Sequence, residues 1–321
     1  MKNEILQYLK KNLEATPKEI AYELGVSRQL VHRYLKQLEE EGKISKIGKS
    51  PLVFYQFNTE TTNTVNKVKE QKEHYGELDF IEITVDGKYL KGIEAFKYWC
   101  KMREQPLDKT LLEYKKTLLK YDAFFKDGVI DGTAKLKGTK GFERIGLEKL
   151  FYLDFYAIER FGKTKLGKLI HFGKQSQNRK LLEEIIALAQ PKIKQLVKSL
   201  KIDAVGYIPP TLPREIQITT ELERGFKITL PHLNVIKVKG EIVVPQKALS
   251  KIKDRILNTQ KSIVVTDKNK YKRVLLIDDA VGSGATLNET AIKILKKGIA
   301  QEVYGVAITG SYKGFEVLSE A

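Results

Sequence analysis

Arg273-Val-Leu-Leu-Ile-Asp-Asp-Ala-Val-Gly-Ser-Gly-Ala-Thr286 decides the fold. Its four consecutive apolar residues, Val274 to Ile277, predict a strand buried on both faces, as in a parallel sheet. Two acids follow, Asp278 and Asp279, and then a small-residue turn, Gly282-Ser283-Gly284-Ala285-Thr286. Leu287, Ala291, Ile292, Ile294 and Leu295 repeat at helical spacing beyond it. A strand, two acids, a glycine turn and a helix make a site at the C-terminal edge of a parallel sheet. The turn's backbone N–H groups and the positive end of the helix can hold a phosphate. Ser283 and Thr286 add hydroxyls, and the acids can take sugar hydroxyls or a magnesium shell. No Gly-Lys-Ser/Thr closes the turn, so it is not a Walker A loop.

The rest of the chain frames this stretch. Its 321 residues predict two or three domains, and an apolar content of 42% is ample for their cores. Lys and Arg number 57 against 40 Asp and Glu, a net charge of +17, which favours polyanionic partners. Cys100 is the sole cysteine, so no disulfide forms within the chain, and four histidines with one cysteine cannot build a standard structural zinc site. There is no apolar run of about 18 residues and no signal-peptide core after Met1-Lys-Asn-Glu4, so the expectation is a cytoplasmic protein without a membrane partner.

Residues 1–58 predict three short helices and a basic hairpin. Thr16, Pro17 and Glu19 form a capping-box sequence, Gly25 supplies a turn, and Ser27 caps a third helix with Leu30, Val31, Tyr34, Leu35 and Leu38 on its apolar stripe. Strands are expected over 43–47 and 52–57, joined by Gly48-Lys-Ser-Pro51. This pattern resembles the winged helix-turn-helix family. The resemblance implies that Arg28, Gln29, His32 and Arg33 on the third helix meet base edges in double-stranded DNA, and that Lys36, Lys46 and Lys49 meet phosphates. A homodimer would suit paired half-sites, and no residue specifies one.

Residues 59–76 are polar and read as a linker or charged helix. Residues 77–150 form an α+β segment of unassigned role: a strand over 80–85, an Asp86-Gly87 turn, helices over 93–102 and 111–125, and a lysine-rich stretch with Lys135, Lys137 and Lys140. Aromatics beside lysines can stack on single-stranded DNA, but core packing is the commoner use. Strands alternate with helices over 151–321, giving a multidomain α/β protein whose C-terminal part holds a parallel sheet.

The Asp278–Thr286 stretch closely resembles the phosphoribosyl-diphosphate (PRPP) loop of the class I phosphoribosyltransferases. Pro209-Pro210, Arg224-Gly225-Phe226, Gln246-Lys247 with Leu249, and Arg255 with Asn258 precede it in the order of the ComF-like branch, over residues 151–310. The resemblance implies that Asp278 and Asp279 bind ribose hydroxyls and that Gly282, Ser283, Gly284, Ala285 and Thr286 hold the 5′-phosphate. Pro209, Pro210 and Thr211 would face pyrophosphate with Mg²⁺, and residues 245–258 would close over the site, where Lys247 and Arg255 steady developing charge. The cysteine-rich zinc ribbon usual in that branch is absent, and no acceptor-base pocket is recognisable near the C-terminus. A winged helix joined to such a domain is also similar to the purine-operon repressors, which keep the PRPP site as an effector site. The expected function is a DNA-binding transcriptional regulator sensing PRPP or a nucleotide. The alternatives are an active Mg-dependent phosphoribosyltransferase and a ComF-like protein of DNA uptake or processing.

Overall fold

The computed structural model describes residues 1–58, 78–238, 240–242 and 244–312, so the expected 59–76 linker lies outside the described residues. Two compact units emerge, Met1–Trp99 and Cys100–Ala321.

In the first unit, α1 (Lys2–Asn12), α2 (Pro17–Glu23) and α3 (Arg28–Glu40) pack with β1 (Glu14–Ala15), β2 (Ile44–Lys49) and β3 (Leu52–Phe57). The sheet runs in the order β1-β3-β2, antiparallel throughout. The expected capping box forms: Glu19 N–H donates to Thr16 Oγ1 at 3.2 Å, and Thr16 N–H donates to Glu19 Oε2 at 2.7 Å. The backbone bond from Thr16 is the main cause holding the Glu19 carboxyl below its ordinary range. Ser27 caps α3, whose Val31, Leu35 and Leu38 are fully buried. Gly48 opens the wing turn at φ +83°, and a side chain there would run into the Leu52 carbonyl.

The same unit holds β4 (Ile81–Ile83), β5 (Tyr89–Lys91) and most of α4 (Gly92–Lys101). Six residues were expected in the first strand and three form it, because Thr84 and Asp86 turn the chain: Thr84 N–H donates to the Lys88 carbonyl. Phe96 and Trp99 are buried, and Phe96 meets Phe80 edge-on at 5.1 Å, so these aromatics serve the core.

The second unit is built on a six-stranded sheet. In chain order its strands are β6 (Phe125–Lys126), β7 (Val129–Asp131), β8 (Leu150–Phe155), β11 (Ala204–Tyr207), β14 (Tyr271–Val281) and β15 (Ala300–Gly310). Short pairs outside it are β9 (Ala157–Ile158) with β10 (Gly162–Lys163), and β12 (Val235–Lys237) with β13 (Ile263–Val265). The sheet order is β11-β14-β15-β8-β7-β6, with the first four parallel and the β6–β7 hairpin antiparallel. Asp127 and Gly128, both at positive φ, turn the hairpin. The 150/151 boundary expected from the sequence therefore cuts through one sheet, since two edge strands precede it.

Helices α5 (Leu107–Asp122) and α6 (Thr133–Gly138) precede β8. Helices α7 (Lys165–Ser176), α8 (Arg179–Ser199) and α9 (Ile218–Phe226) pack together, as do α10 (Ile252–Ser262) and α11 (Ala285–Lys296). Arg224-Gly225-Phe226 is a packing element: Phe226 is buried, Gly225 has Ile186 against it, and Gln190 donates to the Gly225 and Phe226 carbonyls. Val274 to Ile277 are completely buried, as expected, and each contributes on the order of 1.5–3 kcal/mol of transfer free energy. The strand then runs on through both acids to Val281, because β15 continues to offer ladder partners opposite Asp278, Ala280 and Val281.

Thr16→Ala removes one cap acceptor and should destabilise the α2 region by about 1 kcal/mol. Hydrogen exchange of the α2 amides measures it, with faster exchange than in α3 as the expected result.

Candidate phosphate site at the sheet edge

The parallel ladder places the end of β14 beside the ends of β11 and β15, and the chain leaves β14 through the glycine turn into α11. Gly284 sits at the N-cap with φ +83°, and a Cβ there would lie 2.7 Å from Leu136 Cδ1. Glycine is required twice over, by conformation and by space. Ser283 is buried and its Oγ accepts the Ala285 N–H at 3.4 Å. Thr290 Oγ1 donates to the Thr286 carbonyl at 2.7 Å and steadies the first turn of α11.

Two adjoining cavities meet at this turn. The smaller, about 70 Å³, is walled by Gly282, Ser283, Gly284, Ala285 and Thr286, with Asp278, Gln246 and Arg255 completing it. The larger, about 200 Å³, is bounded by Asp278, Asp279, Thr286, Pro209, Pro210 and Thr211. Sequence-distant residues thus line the same space, with Asp278 and Thr286 in both cavities and Asp279 in the larger alone.

The segment expected to close over the site is folded. Gln246 Nε2 donates to Thr259 Oγ1 at 2.7 Å, and Arg255 Nε donates to the Leu249 carbonyl at 2.7 Å. These bonds tie the Gln246–Ala248 turn to α10. Burial lowers the Arg255 guanidinium below its ordinary value. The Lys247 side chain lies outside the described residues, as does that of Lys49.

Three cations of the larger cavity escaped the sequence reading. Lys174 of α7 forms an ion pair with Asp279. Arg214 donates to the Lys174 carbonyl. Lys237 of β12 donates to Thr211 Oγ1 at 2.6 Å. Burial works against the Lys174 ammonium, but Asp279 and Asp278 outweigh it and hold its pKa above the ordinary value. Burial lowers Lys237, and Asp278 partly restores it. The Asp278 carboxyl is raised, first by burial and then by the charge of Asp279, although the Asp279 N–H donates to its Oδ1 at 2.8 Å. Tyr156 lies on the same wall and is pushed up to about 12 by burial and Asp279. The sequence carried one weak signal for any of these, the alternation Val235-Ile-Lys-Val238, which points Lys237 away from Ile236.

On the winged helix, Arg28, Gln29, His32, Arg33 and Lys36 are all exposed along α3, and Lys46 is exposed on β2. Residues 2–45 match the family model described as winged helix-turn-helix DNA-binding. The chain is 34% identical over 84 residues to Competence protein F of Haemophilus influenzae, covering 25% of this chain and 36% of that protein. It joins a winged helix-turn-helix to a ComF-like domain. This fusion spans about a third of the length of its curated relative, 36%. A hypoxanthine phosphoribosyltransferase from Staphylococcus aureus is also similar, at 18% identity over 39% of this chain and 62% of that one. The TM-score between the two is 0.23. Among the described residues no helix of the fusion is long and apolar enough to cross a membrane, and no group of three or more His, Cys, Asp or Glu could hold a metal ion.

A raised carboxyl pKa has a definite sign for stability. The folded chain holds the Asp278 proton to higher pH than the unfolded chain, so stability falls as pH rises from the unfolded value, about 4, through the folded one. Asp278→Asn should therefore raise the melting temperature at pH 8, and the gain should shrink towards pH 4. Gly284→Ala should act oppositely and lower stability at every pH by at least 1–2 kcal/mol, on the order of one backbone-strain term plus the Leu136 clash. Thermal melts at the two pH values check both.

Proposed function

We propose that this chain is a DNA-binding regulator whose ComF-like domain binds PRPP or a related nucleotide and changes its DNA affinity in response. The observation that supports this reading most directly is the smaller cavity. Five turn residues offer backbone and hydroxyl donors to a phosphate there, and Gln246 and Arg255 close the opposite side. Asp278, at the junction of the two cavities, would take the ribose hydroxyls, with the pyrophosphate held in the larger cavity near Pro209, Pro210, Thr211 and Lys237. Asp278 and Asp279 would suit Mg²⁺ delivered with pyrophosphate. When bound, the ion would neutralise phosphate charge.

Lys174 gives the two acids different work. Asp279 already has a cation against it, so Asp278 is the more available of the pair for ligand. On the winged helix, Arg28, Gln29, His32 and Arg33 would meet base edges and Lys36 and Lys46 the phosphates. A working transferase is the second reading. It is favoured by the wall of Tyr156, Ile170 and His171 beyond the acids, where an acceptor ring has room.

Calorimetry of the full chain with PRPP and Mg²⁺, repeated with duplex DNA, tests the regulatory reading. A coupling of about 1–3 kcal/mol, or 5–150-fold in DNA affinity, is expected. Tight PRPP binding with unchanged DNA affinity would sink it, and pyrophosphate release with a free base would instead establish the transferase. Asp278→Asn with Asp279→Asn should abolish PRPP binding while the protein stays folded. Arg33→Ala should weaken specific duplex binding by about 1–3 kcal/mol.

A further inference from the structure

The basic excess does not lie on the winged helix. Residues 1–58 carry 10 Lys and Arg against 7 Asp and Glu, whereas residues 100–321 carry 41 against 25. The α/β unit therefore holds nearly all of the net charge of +17.

Topology concentrates part of this charge. β11, β14 and β15 are adjacent and parallel, so their N-terminal ends share one edge of the sheet, opposite the candidate phosphate site. Lys198 in the last turn of α8 and Lys201 between α8 and β11 approach that edge. Lys268, Lys270 and Lys272 reach it at the start of β14, and Lys296 at the end of α11 before β15. All six are exposed, and none forms an ion pair with a carboxylate among the described residues.

Three acids of this edge are already engaged. Asp203 accepts the backbone N–H groups of Lys272 and Arg273, both at 2.9 Å. Glu302 accepts from Arg273 Nε and the Tyr304 hydroxyl, both at 2.8 Å. Asp267 accepts the Asn269 N–H at 2.8 Å. Two nearby lysines have structural work: Lys293 donates to the Gln260 and Ile263 carbonyls, and Lys297 to that of Val265.

Lysines at helix C-termini commonly offset the helix dipole, which accounts for Lys198, Lys201 and Lys296. It does not account for Lys268, Lys270 and Lys272, which lie on a loop and a strand. We propose that this edge is a docking surface for the phosphodiester backbone of nucleic acid, on a different unit from the recognition helix and at the opposite end of the sheet from the phosphate site. The recognition would be sequence-independent, because the edge offers phosphates a row of ammonium groups and the Tyr304 ring's hydroxyl is already bonded to Glu302. This inference does not depend on PRPP binding.

The test compares two charge-matched variants of the full chain, Lys268→Glu/Lys270→Glu/Lys272→Glu and Lys109→Glu/Lys116→Glu/Lys126→Glu. The second triple changes exposed lysines of the same unit on α5 and β6. Affinity for a random-sequence duplex and for a single-stranded oligonucleotide is followed across a salt series. The edge triple should weaken binding to at least one form by about tenfold or more. It should also flatten the log–log salt dependence by roughly 0.7–0.9 for each phosphate that the variant no longer neutralises. Unchanged affinity and slope for both forms, or an equal loss in the control triple, would overturn the proposal. A Lys→Gln edge triple replaces the Glu variant if the latter melts early. Unaltered PRPP affinity in the edge triple separates failure here from failure of the phosphate site.

Discussion

The burial of Val274 to Ile277 between two parallel neighbours is the constraint on which the α/β unit depends. A strand buried on both faces cannot slip without exposing apolar area or stranding backbone groups. With its register fixed against β11 and β15, its C-terminal end must deliver two acids and a glycine turn to one place. The first residues of α11, Ala285 and Thr286, then line the same space. Site and core are consequences of a single strand.

Electrostatics divides that unit into two ends. At the C-terminal edge, cations and acids are interleaved: Lys174 faces Asp279, Lys237 feels Asp278, and Arg214 buttresses the Lys174 carbonyl. Neither sign of charge is uniform across that cleft. At the N-terminal edge Asp203, Asp267 and Glu302 are taken up by backbone amides, by Arg273 or by a tyrosine hydroxyl, and the lysines face water. Under the two proposals the ends would take different anions, a compact one in the cavities and an extended one along the edge.

Much of this was legible in the residues alone. Thr16, Pro17 and Glu19 announced a capped helix, because N-terminal capping is a local hydrogen-bond problem with few solutions. The third helix and its exposed Arg28, Gln29, His32, Arg33 and Lys36 followed from a 3.6-residue period. The turn at Gly282 to Thr286 was legible because a strand, a glycine turn and a helix start are contiguous in sequence. Less was legible where pairing is long-range. The β6–β7 hairpin joins the sheet only through β8. Arg224-Gly225-Phe226 looks like a functional motif and is a helix packed on Ile186 and Gln190.

What the sequence by itself determined is the set of local devices: caps, the recognition helix, the doubly buried strand, the paired acids and the glycine turn. Each is encoded within about a dozen consecutive residues, where periodicity and capping act. Only the tertiary structure decided that Lys174, 105 residues before Asp279, forms its ion pair, and that Lys237 reaches Thr211 across the cleft. Only parallel pairing could gather lysines from three separate crossings at the opposite edge. Charge–charge proximity between remote segments depends on strand order and register, and no local pattern carries that information.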